Sequence, residues 1–66
     1  MIKSIDLTNA GALTVRKYYL DTSFRVVLTL EQFDKFMKWM QKQNPEWIKH
    51  EGKGIGDGLV EISYTK

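Results

Sequence analysis

The stretch from Leu28 to Gln43, Leu-Thr-Leu-Glu-Gln-Phe-Asp-Lys-Phe-Met-Lys-Trp-Met-Gln-Lys-Gln, restricts what this chain can become more than any other. It reads as an amphipathic helix whose start is defined twice. Thr29 and Gln32 have the spacing of a capping box, and Leu28 and Phe33 that of a hydrophobic staple. At about 100° per residue, Phe33, Phe36, Met37 and Met40 share roughly a third of the circumference, with Lys35, Lys38 and Lys42 opposite. Such a stripe needs a sheet to bury it, at roughly 1.5–3 kcal/mol per side chain before entropy is subtracted. Glu31 with Lys35 and Asp34 with Lys38 are favourable i,i+4 pairs on the wet side. Trp39 breaks the pattern, projecting about 110° from the stripe centre toward Lys35 and Lys42.

The sheet is expected from the flanking segments. Ile5 and Leu7 alternate with polar residues, so residues 2–8 read as a first strand. Asn9-Ala10-Gly11 then reads as a hairpin loop with Gly11 in the left-handed position, pairing Leu7 with Leu13, Ile5 with Val15 and Lys3 with Lys17. A second strand, Leu13 to Leu20, turns through Asp21-Thr22 into a third, Phe24 to Leu28. With Leu20 opposite Ser23, Tyr19 meets Phe24 and Val15 meets Leu28, and the other face carries Arg16, Tyr18, Leu20, Arg25 and Val27, with Tyr18 opposite Arg25.

Asn44-Pro45 closes the helix and, with Asn44 as cap and Pro45 in the first turn, predicts a further helical turn over 46–50 that brings Trp47 to the core edge; a short strand from Trp47-Ile48 is the alternative. Gly52, Gly54, Gly56 and Gly58 read as a mobile or tightly turned loop, a flexible connector, and Val60, Ile62 and Tyr64 as a last strand, parallel to the first and third. The fold class is α+β: a small antiparallel β-sheet in βββαβ order, with one amphipathic helix packed on its apolar face, in a single domain over residues 1–66.

Sixty-six residues bury only about 60% of the surface their unfolded chain exposes, so stability is expected to be modest. Without cysteine there is neither a disulfide framework nor a thiolate metal site. A reducing, cytoplasmic setting is expected, with no leader-like segment and no apolar run approaching the roughly 18 residues that span a membrane. So small a core gains from oligomerisation, and a homodimer through the open sheet face or an edge strand is expected.

No pattern of reactive residues suggests catalysis. The glycine run lacks the Gly-x-x-x-x-Gly-Lys-Ser/Thr of a phosphate loop, and it precedes a strand where the dinucleotide fingerprint would follow one. His50 is the only histidine, and the acidic residues stand mostly beside lysines, so no catalytic group, metal site or cofactor is expected. The expected function is a non-enzymatic interaction module binding a protein partner through the open sheet face or the Trp39 helix surface, with Trp39, Lys35 and Lys42 as candidate contacts, since tryptophan is enriched in interface hot spots; the alternative for Trp39 is to fold over the core edge beside Phe36 or Gln43. By association of size alone, such chains are often small regulators or inhibitors, including those carried by phages. The alternative is a nucleic-acid binder using Arg16, Tyr18 and Arg25 with the lysine-rich helix. Net charge is +2, and Lys35, Lys38, Lys42, Lys49 and Lys53 face only Glu46 and Glu51 in their part of the chain, which reads first as a solvated helix face and otherwise suits an acidic partner or a phosphate backbone.

Overall fold

Thr29 caps the central helix as its spacing demands: the backbone N–H of Gln32 donates to Thr29 Oγ1 at 3.2 Å. The computed structural model describes residues 2–18 and 22–66, without the side chains of Lys17 and Tyr18. The chain is α+β. Its elements are α1 (Ser4–Asn9), β1 (Thr14–Tyr18), β2 (Ser23–Thr29), α2 (Leu30–Gln43), β3 (Ile48–Lys49), β4 (Lys53–Gly56) and β5 (Leu59–Thr65). The sheet is antiparallel, in the order β1-β2-β5-β3, and β4 also pairs with β5.

β2 and β5 form the middle of the sheet, and burial alternates residue by residue along both. The inner face presents Phe24, Val26 and Leu28 from β2 and Val60, Ile62 and Tyr64 from β5. Phe36 and Met40 of α2 bury there completely or nearly so, flanked by half-buried Phe33 and Met37, so the apolar stripe meets the sheet it requires. Aromatic rings tie the layers together. Phe24 lies 5.3 Å from Tyr64 and 4.8 Å from Trp47 between ring centroids, and Phe36 lies 6.1 Å from Tyr64.

Residues 4–9 form a helix where a strand was expected. The two conformations send Ile5 and Leu7 to different places: a strand puts both on one side, whereas the helix leaves Ile5 64% exposed and buries Leu7. The Lys3 backbone N–H donates to Asp6 Oδ2 at 3.3 Å at the helix start, and Asp6 suits the positive end of the dipole. At the other end Gly11 does adopt a left-handed conformation (φ 115°), but as a helix terminator. Its N–H donates to Thr8 O, and that of Ala12 to Leu7 O, both at 3.0 Å, which is the Schellman pattern; buried Ala12 and Leu7 supply its apolar contact. The expected pairings of residues 3–7 with 13–17 therefore do not form, and Lys3 lies off the sheet.

The β1–β2 hairpin is shifted by two residues from the expected register. Val15 pairs with Val26 in place of Leu28, Lys17 with Phe24, and Arg16, in place of Tyr18, with Arg25. A shift of two preserves the face of every side chain, so Val15 still packs against the core. The expectations for Tyr19, Leu20 and Asp21 lie outside the described residues.

After α2 the chain departs from expectation again. Asn44-Pro45-Glu46-Trp47 is a turn closed by the Trp47 N–H on Asn44 O at 3.1 Å, so the further helical turn does not form and the alternative, a short strand, does, as β3. Trp47 is 8% exposed and does close the core edge. The glycine segment is also structured. β4 returns into β5 through Asp57 (φ 54°) and Gly58 (φ 72°), the paired positive φ values of the two-residue turn that best matches strand twist. This extra reversal explains why β5 runs antiparallel to β2 where a parallel strand was expected. The observed order is αββαβββ. β3 and β4 together act as one interrupted edge strand, parallel to β2 with β5 between them.

Candidate interaction surface

The outer face of the sheet is laid out in cross-strand rows. Thr14, Val27, Glu61 and Lys53 form one, and Arg16, Arg25 and Ser63 the next. Ser23, Thr65 and Ile48 form a third, with Ile48 61% exposed. His50 closes that edge, its Nε2 lying 2.7 Å from Thr65 Oγ1. Both helices contribute to the core on the inner side, and the outer-facing residues of β2 and β5 are all half-buried at most.

Part of this face is recessed. Along the β3/β4 edge, Lys49 pairs with Tyr64 and Lys53 with Glu61, so four steps on the edge match three on β5; the pairing slips again between Gly54 and Gly56. Extra residues on one strand bend it and increase its twist. Ile55 on β4 and Thr14 on the opposite edge consequently line a single concavity of about 330 Å³, together with Arg16, Arg25, Val27 and Glu61.

Its charge is unbalanced in one place. Arg16 and Arg25 are direct cross-strand neighbours, an arrangement that is repulsive unless compensated. Glu61 compensates Arg25, with Oε1 3.5 Å from Nη1, and stands opposite Lys53. Among the described residues Arg16 has no ion-pair partner, and it is exposed. The concavity thus combines an apolar wall, Val27 and Ile55, with an uncompensated guanidinium able to grip a carboxylate or phosphate through two parallel hydrogen bonds.

The residues expected from the sequence fall in three places. Arg16 and Arg25 are brought together on the outer face. Tyr18 is opposite Ser23 in the backbone register, and its side chain lies outside the described residues. Trp39 is half-buried and packs against the core, its ring 5.8 Å from that of Phe36, with Lys35 and Lys42 exposed on the same helix. Lys38 is held by Asp34 at 3.0 Å.

Ile55 and Glu61 were not anticipated. Glu61 was legible as the polar member of the Val60-Glu61-Ile62 alternation, but Ile55 stands among glycines and gives no periodic signal. The strongest pKa perturbation is away from this surface: burial pushes the Tyr64 hydroxyl up to about 12. No group of three or more His, Cys, Asp and Glu side chains among the described residues could hold a metal ion, and no described helix is long and apolar enough to cross a membrane. No known family, curated protein or solved structure matches this chain.

Proposed function

We propose that the chain is a non-enzymatic interaction module that binds a protein partner through the recessed part of the outer face of its sheet, as a small regulator or inhibitor acting in the cytoplasm. The observation that carries this is the concavity itself: Val27 and Ile55 offer apolar contact area beside Arg16, a cation without a partner within the described chain. A segment presenting an acidic side chain next to an apolar one is complementary to both. Interfaces of this kind place an apolar anchor in a pocket and use charge for orientation and specificity. The cysteine-free composition supports the reducing compartment. The Trp39 surface is the second candidate within this reading; its contact with Phe36 gives Trp39 a structural role that the outer-face residues lack.

Nucleic acid is the other reading, and the Arg16–Arg25 pair favours it: two guanidiniums side by side on an open sheet suit a phosphate backbone. Binding to labelled single- and double-stranded DNA and RNA across a salt series separates the two. Micromolar binding that weakens steeply with salt selects nucleic acid. For the protein reading, a partner captured by the wild-type chain should be lost with Arg16→Glu and with Ile55→Ser and kept with Trp39→Phe. Loss only with Trp39→Phe moves the site to the helix. Light scattering in the same buffers identifies a homodimer, in which case the partner is a second copy.

A further inference from the structure

Across the sheet from this surface, a cleft of about 420 Å³ opens between the C-terminal half of α2 and the β3 edge. That volume lies within the range of small-molecule sites. Met37 and Met40 line it from the helix, with Tyr64, Trp47, Pro45 and Lys49 on the sheet and turn side. Thioethers and aromatic rings are soft, adaptable walls for another ring. Among the described residues no carboxylate lines the cleft, whereas Lys49 does, and Lys66 Nζ sits 5.9 Å from the Trp47 ring centroid. Lys49 therefore brings an ammonium group to a largely apolar cleft whose described lining holds no acid. An independent observation concerns the same wall. Trp47 Nε1 is the one buried side-chain nitrogen or oxygen without a hydrogen-bond partner among the described residues. A buried donor left unsatisfied costs roughly 1–3 kcal/mol, so a site that retains one gains from any acceptor brought to it.

We propose that this cleft binds a small aromatic carboxylate, with its ring between the methionine thioethers and the Trp47–Tyr64 wall and its carboxylate directed to Lys49. The charge selects the anion, the walls select the ring, and a carboxylate oxygen supplies the acceptor that Trp47 lacks once the indole shifts toward it. The site is separate from the outer face and stands whether or not the partner proposed above is found.

The test is a titration with 2-naphthoate followed in ¹H–¹⁵N spectra. The chain has two tryptophans, so Trp39→Phe leaves Trp47 as the sole source of an indole cross-peak. The methyl resonances of Met37 and Met40 in the wild-type chain report the same event if that variant folds poorly. A saturable shift of these signals with Kd at or below about 1 mM is expected, a range ordinary for ligands of this size. The naphthylmethylammonium analogue should bind at least about tenfold more weakly, and Lys49→Gln, at an exposed position, should weaken naphthoate about fivefold. An absent or non-saturating shift at the Trp47 and methionine signals overturns the proposal. So does equal affinity for the ammonium compound, or a Lys49→Gln chain that binds naphthoate as the wild type does.

Discussion

The two faces of the β2–β5 pair are built from the same backbone and differ in what the environment requires of them. On the inner side Phe24, Val26, Leu28, Val60, Ile62 and Tyr64 are buried against α2, and each is fixed by the shape of its neighbours. One peptide unit away, Arg25, Val27, Leu59, Glu61 and Ser63 are half-exposed on a side that nothing in the described chain covers. Stability is therefore concentrated on one face, leaving the other free to vary its chemistry. Period-two alternation is what allows a chain this short to separate those tasks.

The sharpest test of that separation is on the helix side. Phe36 is fully buried between α2 and the sheet, so Phe36→Ala should cost about 3–5 kcal/mol, enough to unfold much of the population of a domain of this size. Chemical denaturation monitored by circular dichroism measures it. A cost below about 1 kcal/mol would mean that α2 does not organise the core.

Adjacent residues of one strand provide the next comparison. Val26→Ala removes buried methyl groups and should cost about 2 kcal/mol, whereas Val27→Ala, on the outer face, should stay within about 0.5 kcal/mol. Equal losses would show that the outer face is buried in solution, as a homodimer through it would require, and mass measurements on the same samples would then reveal the dimer.

Tyr64 sharpens the contrast through pH. Burial raises its hydroxyl in the folded chain to about 12, above the ordinary value of 10.0, so the folded state favours the neutral phenol. The contribution is fully present below pH 10.0, where both states are protonated. It is lost as pH rises from there toward about 12, because the unfolded chain ionises first. Stability measured across that window should fall less in Tyr64→Phe than in the wild type, and parallel curves would refute the burial of the hydroxyl.

The smallest effect concerns the arginine pair. Arg16→Ser relieves a like-charge neighbour of Arg25 and should leave stability unchanged or raise it by up to about 0.5 kcal/mol, more visibly at low salt. A clear loss of stability would give Arg16 a structural role and weaken its assignment to binding.

How far these features could be read from residues alone depends on the length over which each signal repeats. α2 carried four apolar positions, a cap and a staple, all agreeing, and its boundaries followed. The division of β1 and β2 into faces also followed, because the register error was an even number and face depends only on parity. α1 spans six residues, less than two turns, and Ile5 and Leu7 fit a strand as well as a helix until burial decides. Asp57-Gly58 is a strong hairpin signal, but it sits among three other glycines and is masked by a composition that reads as loop. On the candidate surface, Arg16 and Arg25 were legible as residues of one face. Their direct opposition depended on register, and the concavity depended on bulges that leave no pattern in the sequence.

The position of β5 has a consequence for how the chain comes together during synthesis. It lies between β2 and the β3/β4 edge, both made earlier, and it is the strand through which they are joined. The β1–β2 hairpin and α2 are built from contacts close in sequence, whereas the sheet stays divided until residues 59–65 enter between β2 and the β3/β4 edge. During that interval the rim of β2 that will receive β5 displays unpaired backbone beside Val26 and Leu28, the condition under which strands of separate molecules pair with one another. Closure of the β4–β5 hairpin through the tight turn at Asp57-Gly58 delivers the missing strand already aligned with its neighbour, and so shortens the period in which a newly made molecule can be captured by another.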